Sequence, residues 1–229
     1  MELSKRLTAV ARHVPAGAAV ADIGTDHAYL PVYLVRQGIS RRVVAGDINR
    51  GPFDGALITV RASGLENYID LRMGDGLNIL KPGEVNVLVI AGMGGKTVCA
   101  VFEQGRAVMR QLQRLVIQPM RDIALVRRWL MDNGWRLADE DMVYEDGHYY
   151  VILVAEPGTE KVMDSFALEV GPCLLEKRNV VLREFLKRRS VEINSILAAI
   201  TRAQSAGAIE RAEFLKQEAE KIEEVLANW

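Results

Sequence analysis

Two patterns of apolar residues alternate along residues 1–157. Short runs rich in Val, Ile and Leu predict strands, and the segments between them carry apolar residues at helical spacing. The predicted strands cover residues 19–23, 42–48, 69–73, 85–90 and 115–118, and the predicted helices cover residues 28–37, 55–63, 96–104 and 123–133. This alternation favours a parallel α/β sheet with helices on both faces. Two later strands, 136–144 and 149–155, follow each other across Glu145-Asp146-Gly147 and predict an antiparallel hairpin at the sheet edge.

The sequence after Gly158 carries a helical pattern and no strand signal. Apolar residues recur at helical spacing over residues 182–200, and they step by three and four over residues 212–229. Ser205-Ala206-Gly207 lies between these segments, so we predict two amphipathic helices in an antiparallel, coiled-coil-like hairpin. The apolar seam is compatible with closure inside one hairpin and with a homo-oligomer. The expected domains are an α/β domain over 1–157 and a helical hairpin domain over 158–229.

The net charge of −1, from 29 basic and 30 acidic residues, does not mark the whole chain as a nucleic-acid binder. The distribution is uneven, because residues 176–189 contain six basic and two acidic side chains. A local positive face of this kind can bind phosphate. The alternative is an ordinary solvated helix face on a hairpin that serves only for packing.

The cysteine, histidine and apolar-run content excludes several classes of protein. Cys99 and Cys173 do not make a disulfide framework, and the three histidines lack the spacing of metal ligands. The longest uninterrupted apolar stretch, residues 87–93, is far below the roughly 20 residues that cross a bilayer. The charged N-terminal residues do not resemble a signal peptide. We therefore expect a cytoplasmic protein that binds neither a metal nor a membrane.

The loop after the first predicted strand reads Asp22-Ile23-Gly24-Thr25-Asp26. Gly24 lets a ligand approach the backbone closely, but Asp26 stands where a dinucleotide-binding loop has its second glycine. Two acidic side chains repel a pyrophosphate and attract a cation. The loop therefore favours S-adenosylmethionine (SAM), whose amino and sulfonium groups are positive, over a nicotinamide dinucleotide. The alternative interpretation is that Asp26 caps the helix that follows.

Acidic residues also follow the second and third predicted strands. We expect Asp47 to accept hydrogen bonds from ribose hydroxyls and Asp75 to accept one from an adenine amino group. Either residue alone is more often an ordinary turn residue, so the prediction depends on their occurrence after successive strands. After the fourth strand, three glycines within residues 92–95 leave the backbone open to a ligand. The candidate cofactor-binding residues are Asp22, Gly24, Thr25, Asp47, Ile48, Asp75, Gly76, Gly92 and Met93.

Several of these strings occur together in one known family. The chain resembles the bacterial tRNA (adenine-N1)-methyltransferases that act on adenine 22, in the strings Asp-Ile-Gly-Thr-Asp-His-Ala-Tyr-Leu-Pro (22–31), Gly-Asp-Gly-Leu (74–77), Ala-Gly-Met-Gly-Gly (91–95), Gln118-Pro119 and Glu-Asp-Gly-His-Tyr-Tyr (145–150). Gly51-Pro52 also fits, and the resemblance spans nearly the whole chain. It implies a Rossmann-like class I methyltransferase fold, SAM as the cofactor and tRNA as the substrate.

The segment Ala91-Gly92-Met93-Gly94 differs from the Asn/Asp-Pro-Pro-aromatic segment that is common in methyltransferases of exocyclic amines. This difference fits methylation of a ring nitrogen, whose own lone pair attacks the methyl group. Catalysis would then depend on positioning. We expect Asp26 to stabilise the cationic product base, His27 to relay a proton and Tyr29 to stack on the flipped target base. The alternative interpretations are that His27 is a hydrogen-bonded turn residue and that Tyr29 is an aromatic residue of the core.

Phosphate contacts are expected to supply most of the affinity for tRNA. The candidate phosphate-binding residues are Arg41, Arg42, Arg121, Arg127 and Arg128, together with Lys177, Arg178, Arg183, Lys187, Arg188 and Arg189 in the hairpin. Two other functions stay open, a SAM-dependent methyltransferase of a small molecule and a noncatalytic RNA-binding or coiled-coil module. The second is disfavoured because such a module has no need of acids at three strand ends. A nicotinamide oxidoreductase is disfavoured further because the phosphate-binding glycines are missing.

Overall fold

Seven strands form one sheet in a computed structural model that describes residues 2–159, 163–200 and 206–229. The chain divides into two units, Met1–Val162 and Met163–Trp229, and the sheet belongs to the first. The strands are β1 (Ala19–Ile23), β2 (Arg42–Asp47), β3 (Ile69–Met73), β4 (Val87–Met93), β5 (Arg114–Pro119), β6 (Trp135–Glu145) and β7 (His148–Pro157). The helices of this unit are α1 (Lys5–Arg12), α2 (Tyr29–Arg36), α3 (Arg50–Ser63), α4 (Gly95–Gln104), α5 (Arg106–Met109) and α6 (Ile123–Asp132), with a 3-10 helix over Gly76–Ile79.

The strand order is β3-β2-β1-β4-β5-β7-β6. Strands β1 to β5 run parallel to one another, whereas β7 is antiparallel to both β5 and β6. The chain order reverses between β1 and β4, and open α/β sheets bind ligands beyond the carboxyl ends of the strands at such a switch point. The predicted Rossmann-like sheet with an antiparallel edge hairpin is confirmed.

The central strands are apolar because helices cover the sheet. Residues 87–90 of β4 are all buried, as is Val20 of β1. One core cluster joins Val10 of α1 and Leu34 of α2 to Val20 and to Val116 of β5. Each fully buried side chain of this size stabilises the fold by roughly 1.5–3 kcal/mol. α1 packs on the side of the sheet formed by β4, β5, β7 and β6, although the sequence pattern predicts no element over residues 5–12.

Most element bounds agree with the apolar pattern, and β4 is the informative exception. β1 and β3 have the predicted bounds. β4 was expected to end at Ile90, but it continues to Met93, with an irregular register opposite β5 between Ala91 and Met93. Gly92 therefore lies inside the strand, and Gly94 and Gly95 follow it. The irregular register changes the direction of the last residues of β4.

The described residues of the second unit form helices and no strand. They are α7 (Ser165–Val170), α8 (Pro172–Glu176), α9 (Val180–Ile200) and α10 (Ala206–Ala227). The two predicted long helices are confirmed as α9 and α10, which pack together and bury Leu186, Ile193, Leu215 and Ile222. Arg189 of α9 donates hydrogen bonds of 2.7 and 3.0 Å to the two carboxylate oxygens of Glu218 on α10. Of the predicted turn, Ser205 lies outside the described residues, and Ala206 and Gly207 begin α10.

The three described ranges contain neither a metal-binding cluster nor a membrane-spanning helix. Within them, no group of three or more His, Cys, Asp or Glu side chains is arranged to hold a metal ion. The ring nitrogens of His13 lie 3.9 Å from Asp139 and 3.8 Å from Asp141, and these three side chains do not form such a group. No helix in these ranges is long and apolar enough to cross a membrane.

Candidate active site

The turn after β1 passes close to the ends of β2 and β4. The backbone N–H groups of Gly24 and Thr25 donate hydrogen bonds of 2.8 and 3.0 Å to the carbonyl oxygen of Gly46 in β2. Gly24 has a φ of +76°, and a Cβ there would lie 2.3 Å from Cε of Met93 in β4. The turn therefore needs glycine both for its left-handed backbone and for its approach to β4.

Asp22 is a buried acid at this edge of the sheet. Its Oδ2 accepts a hydrogen bond of 2.7 Å from Oγ1 of Thr25, which is also buried. Burial raises the pKa of the Asp22 carboxyl to about 6; the Thr25 hydrogen bond lowers the pKa and the charge of Asp47 raises it, each by a smaller amount. A positively charged ligand group would favour the ionised carboxylate here.

Asp47, at the end of β2, is buried and connects three loops. Its Oδ1 accepts a hydrogen bond of 2.9 Å from the N–H of Asn49, and its Oδ2 accepts one of 3.4 Å from the N–H of Asp26. Its carbonyl oxygen accepts a hydrogen bond of 3.1 Å from the N–H of Gly74. Asp75, which follows β3, is exposed. The three predicted acids therefore lie at the same edge, on the β1, β2 and β3 side of the switch point.

The other candidate cofactor-binding residues lie at the same edge. Ile48 is an exposed apolar side chain. Gly76 is buried, has a φ of +52° and faces Val101 of α4. Gly92 is exposed with a φ of +88°, and Met93 is half-buried. Exposed apolar surface beside buried acids suits a ligand that carries both a flat ring and polar groups.

Asp26, His27 and Tyr29 project from the turn between β1 and α2. Asp26 and Ala28 have left-handed backbones, with φ of +52° and +55°, a conformation that costs a non-glycine residue roughly 1–2 kcal/mol. The side chains of Asp26 and His27 are 67% and 50% exposed, and Oδ1 of Asp26 lies 3.7 Å from Nε2 of His27. The His27 ring stacks on Tyr29 with a centroid distance of 5.5 Å. Tyr29 is 44% exposed, so it is not a core aromatic.

The start of α2 excludes the interpretation that Asp26 caps this helix. The N-cap position is occupied by Ala28, and no side chain caps the helix there. His27 rests against α3, because a Cβ at Gly55 would lie 2.7 Å from its Nδ1. The imidazole is therefore positioned by contacts with both α3 and Tyr29.

The other half of the edge, at the ends of β4 and β5, carries no acid of the predicted set. A Cβ at Gly95 would lie 2.5 Å from the carbonyl oxygen of Asp122, so α4 begins in close contact with the loop after β5. Arg121 lies in that loop with its side chain 82% exposed. Its Nε lies 3.1 Å from the Cβ that Gly94 lacks. Arg121 is thus close to the glycine-rich end of β4.

Two polar residues near this half were not among the predicted site residues. Gln118 is buried in β5, and its Oε1 accepts a hydrogen bond of 2.8 Å from Nη1 of Arg6. The sequence offers two signals for Gln118, an amide side chain at the end of an apolar strand and the Gln118-Pro119 pair of the family resemblance. Arg6 itself looked like an ordinary charge near the N-terminus.

Comparisons with known proteins identify the family of this chain. Residues 3–153 match a family model described as a methyltransferase domain. The chain is 39% identical to the tRNA (adenine(22)-N(1))-methyltransferase of Bacillus subtilis (strain 168) over an alignment 231 positions long, which covers 97% of this chain and 95% of that protein. The chain belongs to the tRNA (adenine(22)-N(1))-methyltransferase family. The family that the sequence motifs had indicated is therefore confirmed.

Solved structures show the same family relationship. The crystal structure of the B. subtilis M1A22 tRNA methyltransferase TrmK is 36% identical in sequence, with a TM-score of 0.85, and the match covers 98% of this chain and 99% of that one. Sp1610 of Streptococcus pneumoniae, solved in complex with S-adenosyl-L-methionine, is 32% identical with a TM-score of 0.87, and the match covers 98% of this chain and 100% of that one. The likeness to these family members therefore extends over both units of the chain.

The structure corrects part of the predicted phosphate-binding set. Arg127 in α6 is fully buried, and its Nε donates a hydrogen bond of 2.7 Å to Oε1 of the equally buried Glu140. The prediction that Arg127 binds nucleic acid is wrong, because a guanidinium in the core does not reach a phosphate. Arg41 and Arg42 are exposed, but they lie at the amino end of β2, at the opposite edge of the sheet from the acids. This position excludes contact with a nucleotide bound beside those acids.

The basic residues of the second unit lie at the end of α8 and along α9. Lys187 pairs with Glu184 on the same helix at 3.0 Å, and the half-buried Arg189 pairs with Glu218. Arg189 therefore helps to join α9 to α10. The exposed members of the cluster, which we call the α9 basic face, are Lys177, Arg178, Arg183, Lys187 and Arg188.

Proposed function

We propose that this protein transfers the methyl group of SAM to N1 of adenine 22 in tRNA. The observation that carries the proposal is the row of acids Asp22, Asp47 and Asp75 at the ends of β1, β2 and β3. SAM presents positive charge, ribose hydroxyls and an adenine amino group, and carboxylates suit all three. Membership of the tRNA (adenine(22)-N(1))-methyltransferase family supplies the acceptor nucleotide.

The residues at this edge fit SAM. The buried Asp22 carboxyl favours a cation such as the amino group, because ligand charge compensates the cost of ionising it. We assign Asp47 to accept hydrogen bonds from the ribose hydroxyls and Asp75 to accept one from the adenine amino group. Ile48 offers apolar surface to the adenine ring. When bound, SAM supplies a methyl group that is activated by the positive charge on sulfur.

The turn after β1 carries the catalytic residues that act on the acceptor. Adenine N1 attacks with its own lone pair, so the chain need only align it with the methyl group. The adenine gains positive charge in the transition state, and the exposed Asp26 carboxylate stabilises that charge. His27 lies 3.7 Å from Asp26, where it can relay a proton from the amino group of the methylated base. Tyr29 provides an aromatic ring against which the extruded base can stack.

Binding of tRNA rests on phosphate contacts. Arg121 lies at the methyl-transfer edge of the sheet, and the α9 basic face belongs to the second unit. Such contacts neutralise phosphates and release counterions, so binding should weaken as salt is raised. A tRNA substrate agrees with the cytoplasmic setting expected from the sequence.

The substitution Asp26→Asn tests the catalytic assignment. We expect kcat for methyl transfer to tRNA to fall about 100-fold, the effect of removing one transition-state charge contact, while the affinity for S-adenosylhomocysteine stays unchanged. The matched control is Asp132→Asn, at an exposed acid on α6, which should leave both values unchanged. Equal losses of kcat and of cofactor affinity would contradict the role of Asp26. Tight SAM binding without transfer to any unmodified tRNA would favour a small-molecule acceptor instead.

A further inference from the structure

The start of α1 is fixed to the turn between β6 and β7. The carboxylate of Glu145 accepts hydrogen bonds from the backbone N–H of Lys5 at 2.6 Å and of Arg6 at 3.2 Å. Ser4 completes this helix start, because its Oγ accepts a hydrogen bond of 3.2 Å from the N–H of Leu7. Both oxygens of Glu145 are thus engaged with backbone donors. The fixed helix start gives Arg6, in the first turn, a defined position.

The side chain of Arg6 is half-buried, and its guanidinium contacts the neutral side chains of Gln118 and Tyr150. Its Nη1 donates a hydrogen bond of 2.8 Å to the amide oxygen of the fully buried Gln118, and its Cζ lies 5.7 Å from the ring centroid of Tyr150. The same Nη1 lies 3.6 Å from the Cβ that Gly92 lacks. Among the described residues, no carboxylate forms an ion pair with Arg6 within 4.0 Å, and its Nε and Nη2 donate no hydrogen bond.

The position of Arg6 in the sheet indicates which reactant it faces. Its contacts, Gln118, Gly92 and Tyr150, belong to β5, β4 and β7. The acids that suit SAM lie on β1, β2 and β3, on the other side of the switch point. The edge is therefore divided into an acidic half for a cationic cofactor and a half that presents the guanidinium of Arg6. Although Glu145 interacts electrostatically with Arg6, both of its carboxylate oxygens accept hydrogen bonds from backbone N–H groups, so the guanidinium is left to bind an anion.

We propose that Arg6 is a phosphate-binding residue for the RNA strand that carries the target adenine. The proposal rests on the proposed function, which brings a tRNA to this edge. Gln118 holds one side of the guanidinium, so Nε and Nη2 are left to donate two parallel hydrogen bonds to a phosphate. The planar fork is fixed before the RNA arrives, which distinguishes Arg6 from a flexible surface lysine.

The substitution Arg6→Gln in the full-length protein tests this assignment. We expect the Kd for unmodified tRNA to rise about tenfold or more, as for the removal of a hydrogen bond to a charged group. The slope of log Kd against log salt should fall by about 0.7–0.9, the value for one neutralised phosphate. Affinity for S-adenosylhomocysteine should not change. The matched control is Arg12→Gln, an exposed arginine at the other end of the same helix, which should leave the Kd and the slope as in wild type.

The other outcomes overturn the proposal in distinguishable ways. A loss of S-adenosylhomocysteine affinity with an unchanged salt slope would assign Arg6 to the carboxylate of the cofactor. If the wild-type protein methylates tRNA and the two variants Arg6→Gln and Arg12→Gln have the same Kd and the same salt slope, the phosphate contact is rejected and the proposed function is kept. A wild-type protein that fails to bind tRNA would reject the proposed function itself. If Arg6→Gln does not fold, Arg6→Lys is measured instead. Lysine keeps the charge but lacks the planar fork, so the Kd for tRNA should rise while the salt slope is retained. An unchanged Kd would reject the assignment.

Discussion

Oγ1 of Thr25 donates a hydrogen bond of 2.7 Å to Oδ2 of Asp22, and both side chains are buried in the turn after β1. This one neutral donor does not compensate the carboxylate for its loss of water, and the pKa of Asp22 stays raised at about 6 because of burial. The site therefore holds an acid whose ionised form costs free energy until a cation binds. Such a residue serves ligand binding at the expense of stability.

The substitution Asp22→Asn should stabilise the protein without cofactor at pH 8. The folded-state pKa of Asp22 lies above its unfolded value of 3.8, so its favourable contribution is complete below pH 3.8 and is lost as the pH rises through about 6. Asn removes the buried charge and keeps an acceptor for Thr25. We expect the free energy of unfolding to rise by up to about 3 kcal/mol at pH 8 and to change little at pH 4. Urea denaturation at the two pH values measures both.

The same variant should lose affinity for S-adenosylhomocysteine by at least about tenfold, as expected when a charged hydrogen-bond partner is removed. Asp75→Asn is the control for stability, because Asp75 is exposed and its charge costs little in the folded protein. A fall in stability of Asp22→Asn at pH 8, or full retention of cofactor affinity, would show that Asp22 is a structural acid.

The substitution Gly55→Ala should reduce activity by displacing a neighbour. The added methyl group would lie 2.7 Å from Nδ1 of His27, so the imidazole must move. Because alanine favours a helix interior over glycine by roughly 0.5–1 kcal/mol, the fold should be kept or stabilised. If His27 relays a proton, kcat should fall at least about 100-fold, with S-adenosylhomocysteine affinity unchanged.

Gly51→Ala is the matched control on the same helix. A Cβ there meets no atom within 4 Å, so kcat should remain at the wild-type value. Equal kcat values for the two alanine variants, with thermal melting showing both folded, would remove the catalytic role proposed for His27.

The α9 basic face should contribute to tRNA affinity through charge. The double substitution Arg183→Gln with Lys187→Gln should weaken tRNA binding and lower the salt slope by about 0.7–0.9 for each phosphate that is no longer neutralised. The control is the double substitution Arg211→Gln with Lys216→Gln, at exposed positions of α10. Cofactor affinity and melting temperature should be unchanged in both. If the two double substitutions weaken tRNA binding equally, the effect comes from the overall charge of the protein and not from phosphate contacts at the α9 basic face.

Arg127 should contribute to stability and not to tRNA binding. Arg127→Met leaves Glu140 without its buried 2.7 Å partner, and breaking a buried pair costs about 3–5 kcal/mol. Arg128→Met, at an exposed neighbouring position, should cost less than about 0.5 kcal/mol. Urea denaturation measures the difference. A stable Arg127→Met protein with weakened tRNA binding would contradict the burial of this side chain.

The parallel sheet could be predicted because its strands are covered by helices. The apolar residues of 19–23 and the alternating apolar residues of 69–73 predict strands that match β1 and β3. Once parallel strands are expected, acids that follow them must share one edge, so the neighbourhood of Asp22, Asp47 and Asp75 follows from topology. The motif strings then identified the family, which the relatives confirm.

The remaining features depend on contacts between distant segments. Arg127 falls on an amphipathic helix as an ordinary arginine, and Glu140, 13 residues later, makes its burial possible. Arg6 reaches Gln118 across 112 residues, and no local spacing predicts such a contact. β4 extends past Ile90 because Ala91 and Met93 pair with Gln118 and Pro119 of β5, with an irregular register between them, where the pattern indicates a loop.

The position of the transferred methyl group tests the central claim most directly. An unmodified tRNA transcript is incubated with the wild-type protein and labelled SAM, then digested and mapped by mass spectrometry. We predict N1-methyladenosine at position 22, with no product from a transcript in which adenine 22 is replaced by guanine. A methyl group on another nucleotide, on an exocyclic amine, or on no nucleotide at all would contradict the account.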